Sequence, residues 1–220
     1  MNVRTEVRSV QSEPGIFMRR TVLLGVPLLY LMLGLLHPTS NPEVGDETDF
    51  FIGLHVAQLF LIAGLAYTLW LLVQGLAGRA ATVARALILP FVVGYTALDS
   101  VLGLAWGIAA EKANGLSPAD RPAAGRLIDA LLEPEPRGYI LYFGAGLLWL
   151  AVALTVVTAL RTRAPRPALV LMAIGAIVFA LGHARPMGPI GMTLFLAGIA
   201  WQELRPRRES AAPAALLQGP

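Results

Sequence analysis

The sequence predicts an all-α membrane protein, a polytopic bundle of six transmembrane helices with both termini in the cytoplasm. Three observations lead to this prediction. The chain of 220 residues is 56% apolar and only 14% charged, whereas soluble domains carry about 25% charged residues. Its apolar residues form long uncharged stretches, and about 20 such residues cross a bilayer core about 30 Å thick. Its basic residues concentrate in alternate loops, which is the pattern that orients membrane helices.

Six stretches are long and apolar enough to be membrane spans. Because the bilayer core offers the backbone no water, each stretch must form a helix that satisfies its own amide groups. The predicted spans are 20–37, 51–74, 86–109, 138–160, 167–184 and 187–203. Spans 5 and 6 are joined by only the sequence ARPMGP, which predicts a tight antiparallel hairpin.

The predicted spans form one transmembrane domain, residues 20–204, between two polar segments. Residues 1–19 form an N-terminal cytoplasmic segment, and residues 205–220 form a basic, then Ala/Pro-rich cytoplasmic tail that we expect to be disordered. The outer loop 110–137 contains an amphipathic stretch from Asp120 to about Leu132, with a proline in its first turn. It predicts a short helix lying on the outer membrane surface.

The distribution of charge predicts the orientation. With both termini inside, the inner segments hold Arg4, Arg8, Arg19, Arg20, Arg79, Arg85, Arg161, Arg163, Arg166, Arg205, Arg207 and Arg208. The outer loops hold only Lys112, Arg121, Arg126, Arg137 and Arg185. This excess on one side follows the positive-inside rule and requires an even number of spans.

Composition also limits the partners. The sequence pI is about 9.7, but the basic residues are spread over loops and form no single patch, so we expect the lipid bilayer as partner and no nucleic acid. The chain has no cysteine, which excludes disulfides and thiolate metal sites. Arginine supplies all basic residues but one, and Ala, Gly and Pro are abundant. This bias predicts a bacterial protein of the inner (cytoplasmic) membrane.

The apolar run GYTALDSVLGLAWG, residues 94–107, contains one carboxylate, Asp99. Counted along its span at 1.5 Å per residue, Asp99 lies slightly past the membrane midplane toward the outer face. An ionised carboxylate facing lipid costs at least about 2.5–3.5 kcal/mol there, so we expect Asp99 to face the bundle interior. Tyr95 lies one turn earlier on the same face and is expected to donate a hydrogen bond to it. Asp99 is the candidate catalytic residue.

All three histidines of the chain fall on the predicted outer side, on three different spans. His37 ends span 1, His55 lies about one turn into span 2, and His183 lies near the outer end of span 5. We therefore predict one outward-opening ligand pocket with His37 at its rim. Its predicted lining is His55, Gln58, Tyr95, Asp99, Tyr142 and His183.

These residue types suit three chemistries. His55, His183 and His37 are candidate ligands of a zinc ion, whose catalytic sites use three protein ligands and one open position. Two histidines can instead ligate haem iron from opposite faces. A buried carboxylate beside a histidine can also relay protons or bind a cation. The sequence contains no HExxH motif and no glycine-rich phosphate loop that would choose between them.

Three functions remain open at this point. The first is a binding protein or enzyme whose outward pocket takes a metal, a haem or a lipid-like small molecule. The second is a small permease or proton- or ion-coupled transporter that uses Asp99, alone or as a homo-oligomer. The third is a non-catalytic scaffold or accessory subunit. The predicted inner halves of the spans carry almost no ionisable residues, which favours the outward pocket over transport.

Overall fold

Helices form all the regular structure in the described part of the chain. The computed structural model describes residues 13–38, 40–132 and 139–205. Its elements are α1 (Glu13–Leu36), α2 (Asp49–Val73), α3 (Arg79–Leu98), a π-helical segment (Asp99–Ala105), α4 (Trp106–Asn114), α5 (Arg121–Leu132), α6 (Tyr139–Leu160), α7 (Arg166–Leu181) and α8 (Met187–Leu204). The all-α prediction is confirmed for these residues.

Four of the helical stretches are long and apolar enough to cross a membrane. They are Gly15–Leu36, Asp49–Val73, Arg79–Asn114 and Ile140–Leu160. The fifth and sixth predicted spans are also helical, but α7 has only 16 residues and α8 has 18. The described chain therefore has several helices of the kind that cross membranes.

The six long helical stretches surround one core in chain order. α1 packs on α2, α2 on α3, α3 on α6, α6 on α7, α7 on α8, and α8 returns to α1. Contacts between the ends of neighbouring helices show an antiparallel arrangement, as where Arg19 near the start of α1 donates to the Leu71 carbonyl near the end of α2. The core between them contains fully buried Leu69, Trp149, Met172 and Phe195. This closed ring brings the C-terminal end of α1 beside the connection between α7 and α8.

α7 and α8 form the tight antiparallel hairpin that the sequence predicts. A Cβ atom on Gly175 would lie 2.5 Å from the backbone nitrogen of Phe195, and one on Gly198 would lie 2.6 Å from the Ala168 carbonyl oxygen. Only glycine permits backbones to approach this closely, which is how small residues pack membrane helices.

Four helix boundaries differ from the predicted spans by three residues or more. α1 begins at Glu13, and the helix of the third span runs from Arg79 to Asn114, so it starts before residue 86 and shortens the predicted loop 110–137. Hydropathy marks the part of a helix that matches the bilayer core, whereas hydrogen bonding continues the helix beyond it. α7 ends earlier than predicted, at Leu181. His183 therefore lies in the connection to α8 and not in the helix.

The predicted amphipathic helix after the third span is present as α5. Leu127 and Leu131 are exposed, whereas Ile128 packs against Trp106 and Ala113. α5 therefore rests partly on the protein, while its other apolar side chains face outward. The predictions for residues 1–12 and for the tail from residue 206 onward lie outside the described residues.

Arginines collect where α1, α3 and α7 begin, at what we call the arginine end. Arg19 donates to the Leu71 carbonyl at 2.8 Å and pairs with Glu203 at 3.0 Å. Arg85 donates to the carbonyls of Val73 and Leu76. These arginines thus donate to carbonyls of the last turn of α2 and of the loop that follows it, where a helix lacks intrahelical donors. The opposite end, where α1 and α7 end and α2 begins, holds the histidines and is called the histidine end.

Candidate functional site: a histidine and aspartate pocket

A cavity of about 350 Å³ lies at the histidine end of the bundle. Its lining combines apolar side chains with histidines and one carboxylate: His37, Pro38, Ser40, Asn41, His55, Leu98, Asp99, Leu102, Gly103, Trp106, Tyr142, His183 and Ala184. The volume lies within the range of about 300–1,000 Å³ that is typical of small-molecule pockets. Four predicted pocket residues, His55, Asp99, Tyr142 and His183, are therefore brought together here, with the predicted rim residue His37 beside them.

Asp99 and His55 face each other across the boundary between the π-helical segment and α2. Their side chains are only 3% exposed, and His55 Nε2 lies 4.0 Å from Asp99 Oδ1. This separation is too long for a direct hydrogen bond. Asp99 is the first residue of the π-helical segment, and such local departures from the α-helix occur frequently at functional sites.

The orientation of the His55 ring is fixed from two sides. Its Nδ1 lies 2.8 Å from the Phe51 carbonyl oxygen, and because a carbonyl only accepts, Nδ1 carries the proton. In the neutral ring, Nε2 is therefore an acceptor, and it faces Asp99. On the other side the ring lies directly over Gly103, where an added Cβ would overlap the His55 Cδ2 atom. Gly103 thus makes room for the imidazole.

His37 repeats this arrangement from the end of α1. Its Nδ1 donates to the Pro38 carbonyl oxygen at 2.7 Å, which leaves Nε2 as an acceptor in the neutral ring. Nε2 is buried and has no hydrogen-bond partner among the described residues. The backbone carbonyl of His37 accepts from Arg185 Nε at 2.9 Å, so the connection between α7 and α8 holds this residue in place.

The three imidazole rings form one cluster. The ring centroids of His37 and His55 are 5.1 Å apart, and those of His37 and His183 are 5.6 Å apart. His183 also lies against Tyr142 and Tyr95, at centroid distances of 5.7 and 6.0 Å. The three imidazoles come together because the closed order of helix packing places the ends of α1 and α7 beside the start of α2.

Gln58 and Tyr95, two predicted lining residues, lie behind the cavity and not on its surface. The Gln58 amide donates to the Tyr30 hydroxyl at 3.2 Å, and the Tyr95 hydroxyl pairs with the same oxygen. The predicted hydrogen bond from Tyr95 to Asp99 is not formed, because the Tyr95 hydroxyl is paired with Tyr30 instead, and Asp99 Oδ2 has no partner among the described residues. Tyr95 and Asp99 are nevertheless both buried inside the bundle, as predicted.

Sequence reasoning missed Tyr30 and Trp106. Tyr30 is the one tyrosine of the first predicted span, and a hydroxyl in an apolar helix needs a partner, so its presence was a usable signal. Trp106 lines the cavity and donates its indole N–H to the Pro42 carbonyl at 3.2 Å. It therefore holds the loop after α1 against the cavity wall, a role that no spacing in the sequence reveals.

The hydrogen-bonded side chains of Gln58, Tyr30 and Tyr95 form what we call the polar layer. Fully or almost fully buried aromatic rings fill the bundle core next to it. Trp149 lies against Phe91, Phe179 and Phe195, at ring-centroid distances of 5.6, 5.1 and 5.2 Å. Phe179 in turn contacts the rings of Tyr30 and Tyr95. The polar layer is thus followed by a packed aromatic layer, which separates the cavity from the arginine end.

The geometry gives no support to the predicted zinc or haem. In the described part of the chain, no group of three or more His, Asp or Glu side chains is arranged to hold a metal ion. The ring centroids of His37 and His55 are 5.1 Å apart in an edge-to-face contact, so the two rings touch and leave no slot for a flat macrocycle between them. A haem held between two histidines needs such a slot.

Comparison with protein-family models, with curated proteins and with solved structures finds no match to this chain. The case for a functional site therefore rests on the residues of the cavity and their chemistry.

Proposed function

We propose that this protein is a six-span membrane protein whose pocket at the histidine end opens to the outer side and binds a small amphiphilic molecule. The observation that supports it best is the convergence of His37, His55, Asp99 and His183 on one cavity. Intramembrane ionisable side chains are costly, so their presence indicates a functional site by default.

The cavity is better suited to an amphiphile than to a single ion. Its polar groups lie among the apolar side chains of Leu98, Leu102 and Trp106. An apolar wall with a few placed polar groups is the usual composition of a small-molecule pocket. A lipid-like molecule can place its chain against that wall and its polar group among the histidines.

The distribution of charge supports the proposed six-span topology. Arg19, Arg85 and Arg166 belong to the arginine end, and the positive-inside rule assigns such an end to the cytoplasm. With four long apolar stretches and the shorter α7 and α8 also crossing, both termini lie on that side. The pocket then opens on the opposite, outer face.

A transport function fits less well. Transport requires that a substrate reach both faces of the membrane, whereas buried Trp149, Phe91 and Phe195 fill the core on the way to the arginine end. A bundle of this kind would have to repack its aromatic layer in every cycle. The scaffold alternative predicts no ligand at all, and the following experiment separates it from ours.

The test is photo-crosslinking with a long-chain alkyl diazirine that carries a terminal hydroxyl group. In membranes, the wild-type protein should be labelled within residues 98–106, and Leu102→Trp, which fills the cavity, should lose this label. The matched control is Leu89→Trp, because Leu89 is on the same helical stretch but is 69% exposed. Labelling of residues 98–106 that persists in Leu102→Trp would contradict the proposal.

A further inference from the structure

The unpartnered polar atoms around the cavity share one property: they are hydrogen-bond acceptors. His37 Nε2 and Asp99 Oδ2 are buried and lack partners among the described residues. His55 Nε2 is also an acceptor in the neutral ring, since its Nδ1 proton is used by the Phe51 carbonyl. A buried polar group without a partner is costly, so we expect a ligand that donates hydrogen bonds to these acceptors.

We infer that the ligand presents a primary ammonium group, as in a long-chain alkylamine, to His37, His55 and Asp99. This inference rests on the proposed function. A primary ammonium has three N–H donors and one positive charge, and it is protonated at neutral pH as lysine is. It would satisfy two imidazole nitrogens and neutralise the buried carboxylate at once. The chain would then lie along Leu98 and Leu102.

The spacing of one acceptor pair, His55 Nε2 and Asp99 Oδ1, agrees with an ammonium better than with a metal ion. Acceptors that share one ammonium nitrogen at hydrogen-bond distance are about 4 to 5 Å apart. Ligands of a zinc ion, with bonds near 2.1 Å, are about 3 to 3.5 Å apart. His55 Nε2 and Asp99 Oδ1 are 4.0 Å apart, which falls in the first range.

The charges near the pocket also bear on this assignment. Arg185 approaches it through its hydrogen bond to the His37 carbonyl, but its side chain is exposed and its charge is screened by water. Asp99 is the one carboxyl group among the described residues of the lining, and an ammonium bound beside it would favour its ionised form, because an opposite charge nearby stabilises the charged state. The opposite assignment is an anionic ligand attracted by Arg185, and the experiment tests it with octanoate.

The experiment compares four amphiphiles of equal chain length by calorimetric titration of the protein in lipid nanodiscs. They are octylamine, octyltrimethylammonium, 1-octanol and octanoate, and the Leu102→Trp variant serves as the blank for partitioning into lipid. We expect octylamine to bind one-to-one and at least about tenfold more tightly than the other three. Asp99→Asn should weaken octylamine about tenfold or more, because it removes a charged acceptor, whereas Asp129→Asn, an acid of α5 outside this lining, should not.

The possible outcomes separate the two proposals. If octyltrimethylammonium, octanol or octanoate binds as tightly as octylamine, the ammonium assignment is wrong while the pocket stands. If none of the four binds beyond the blank, the proposed function fails as well. The comparison of the four amphiphiles uses the wild-type protein, so it decides the question even if Asp99→Asn does not fold.

Discussion

At the scale of single residues, the position of His55 depends on a neighbour that has no side chain. The imidazole lies over Gly103, and any Cβ there would overlap the ring. Gly103 and Gly107 are four residues apart, a spacing at which small residues let membrane helices pack closely, and Gly107 meets Phe51 and Ile52 of α2 in this way. That Gly103 also seats a histidine depends on the register of α2 against the π-helical segment.

Gly103→Ala should therefore displace the His55 ring and lower the stability of the bundle. Overpacking of this kind costs about 1–3 kcal/mol, and a buried imidazole that loses its place also loses its hydrogen bond to Phe51. The measurement is the thermal midpoint of unfolding in detergent. Gly144→Ala is the matched control, because nothing lies within 4 Å of a Cβ there. Equal midpoints for the two variants would show that His55 is not held as described.

Tyr30 offers a second test at this scale, one that separates structure from ligand binding. Tyr30→Phe removes the acceptor for the Gln58 amide and the Tyr95 hydroxyl, and each buried donor left unpaired costs about 1–3 kcal/mol. We expect a lower unfolding midpoint, and octylamine binding that remains. The exposed Tyr67→Phe should change neither. A Tyr30→Phe protein as stable as the wild type would contradict the polar layer.

At the scale of elements, the sequence predicted the six apolar segments well and their ends less well. Hydropathy follows the bilayer, so it marked the third span as 86–109, whereas the helix itself runs from Arg79 to Asn114. The extra length matters, because α4 carries Trp106 and Asn114 to the loop after α1. Asn114 there accepts from the Gly45 amide and donates to the Asp46 carbonyl.

Asn114→Ala should loosen this loop without disturbing the bundle. Both hydrogen bonds come from one side chain, so we expect faster amide hydrogen exchange in residues 43–47 and unchanged exchange in the core of α2. Glu111→Gln is the control, since Glu111 only pairs with exposed Lys112 on the surface and such pairs contribute little. Loop exchange that is equally slow in Asn114→Ala would mean that other contacts hold the loop.

At the scale of the whole molecule, the candidate site could be predicted only in part. That Asp99 avoids lipid, and that the histidines of three segments lie toward the same end of the bundle as Asp99, followed from charge counting and helix rise alone. Which side chains complete the pocket did not follow, because that depends on which helices are neighbours. The return of α8 to α1 places His37 beside His183, and the packing of α1 on α2 pairs Gln58 with Tyr30 behind the cavity. No periodicity within one helix carries this information.

The most direct test of the account is cysteine accessibility in intact cells, since the chain has no cysteine of its own. Ala184→Cys, in the cavity lining, should react with a membrane-impermeant maleimide added outside, and adding Leu102→Trp should suppress the reaction by filling the cavity. Ser117→Cys should react in both backgrounds, and Thr162→Cys only after the cells are opened. Two results would contradict an outward-opening pocket: labelling of Ala184→Cys only in opened cells, or labelling of Ala184→Cys that is not reduced by adding Leu102→Trp.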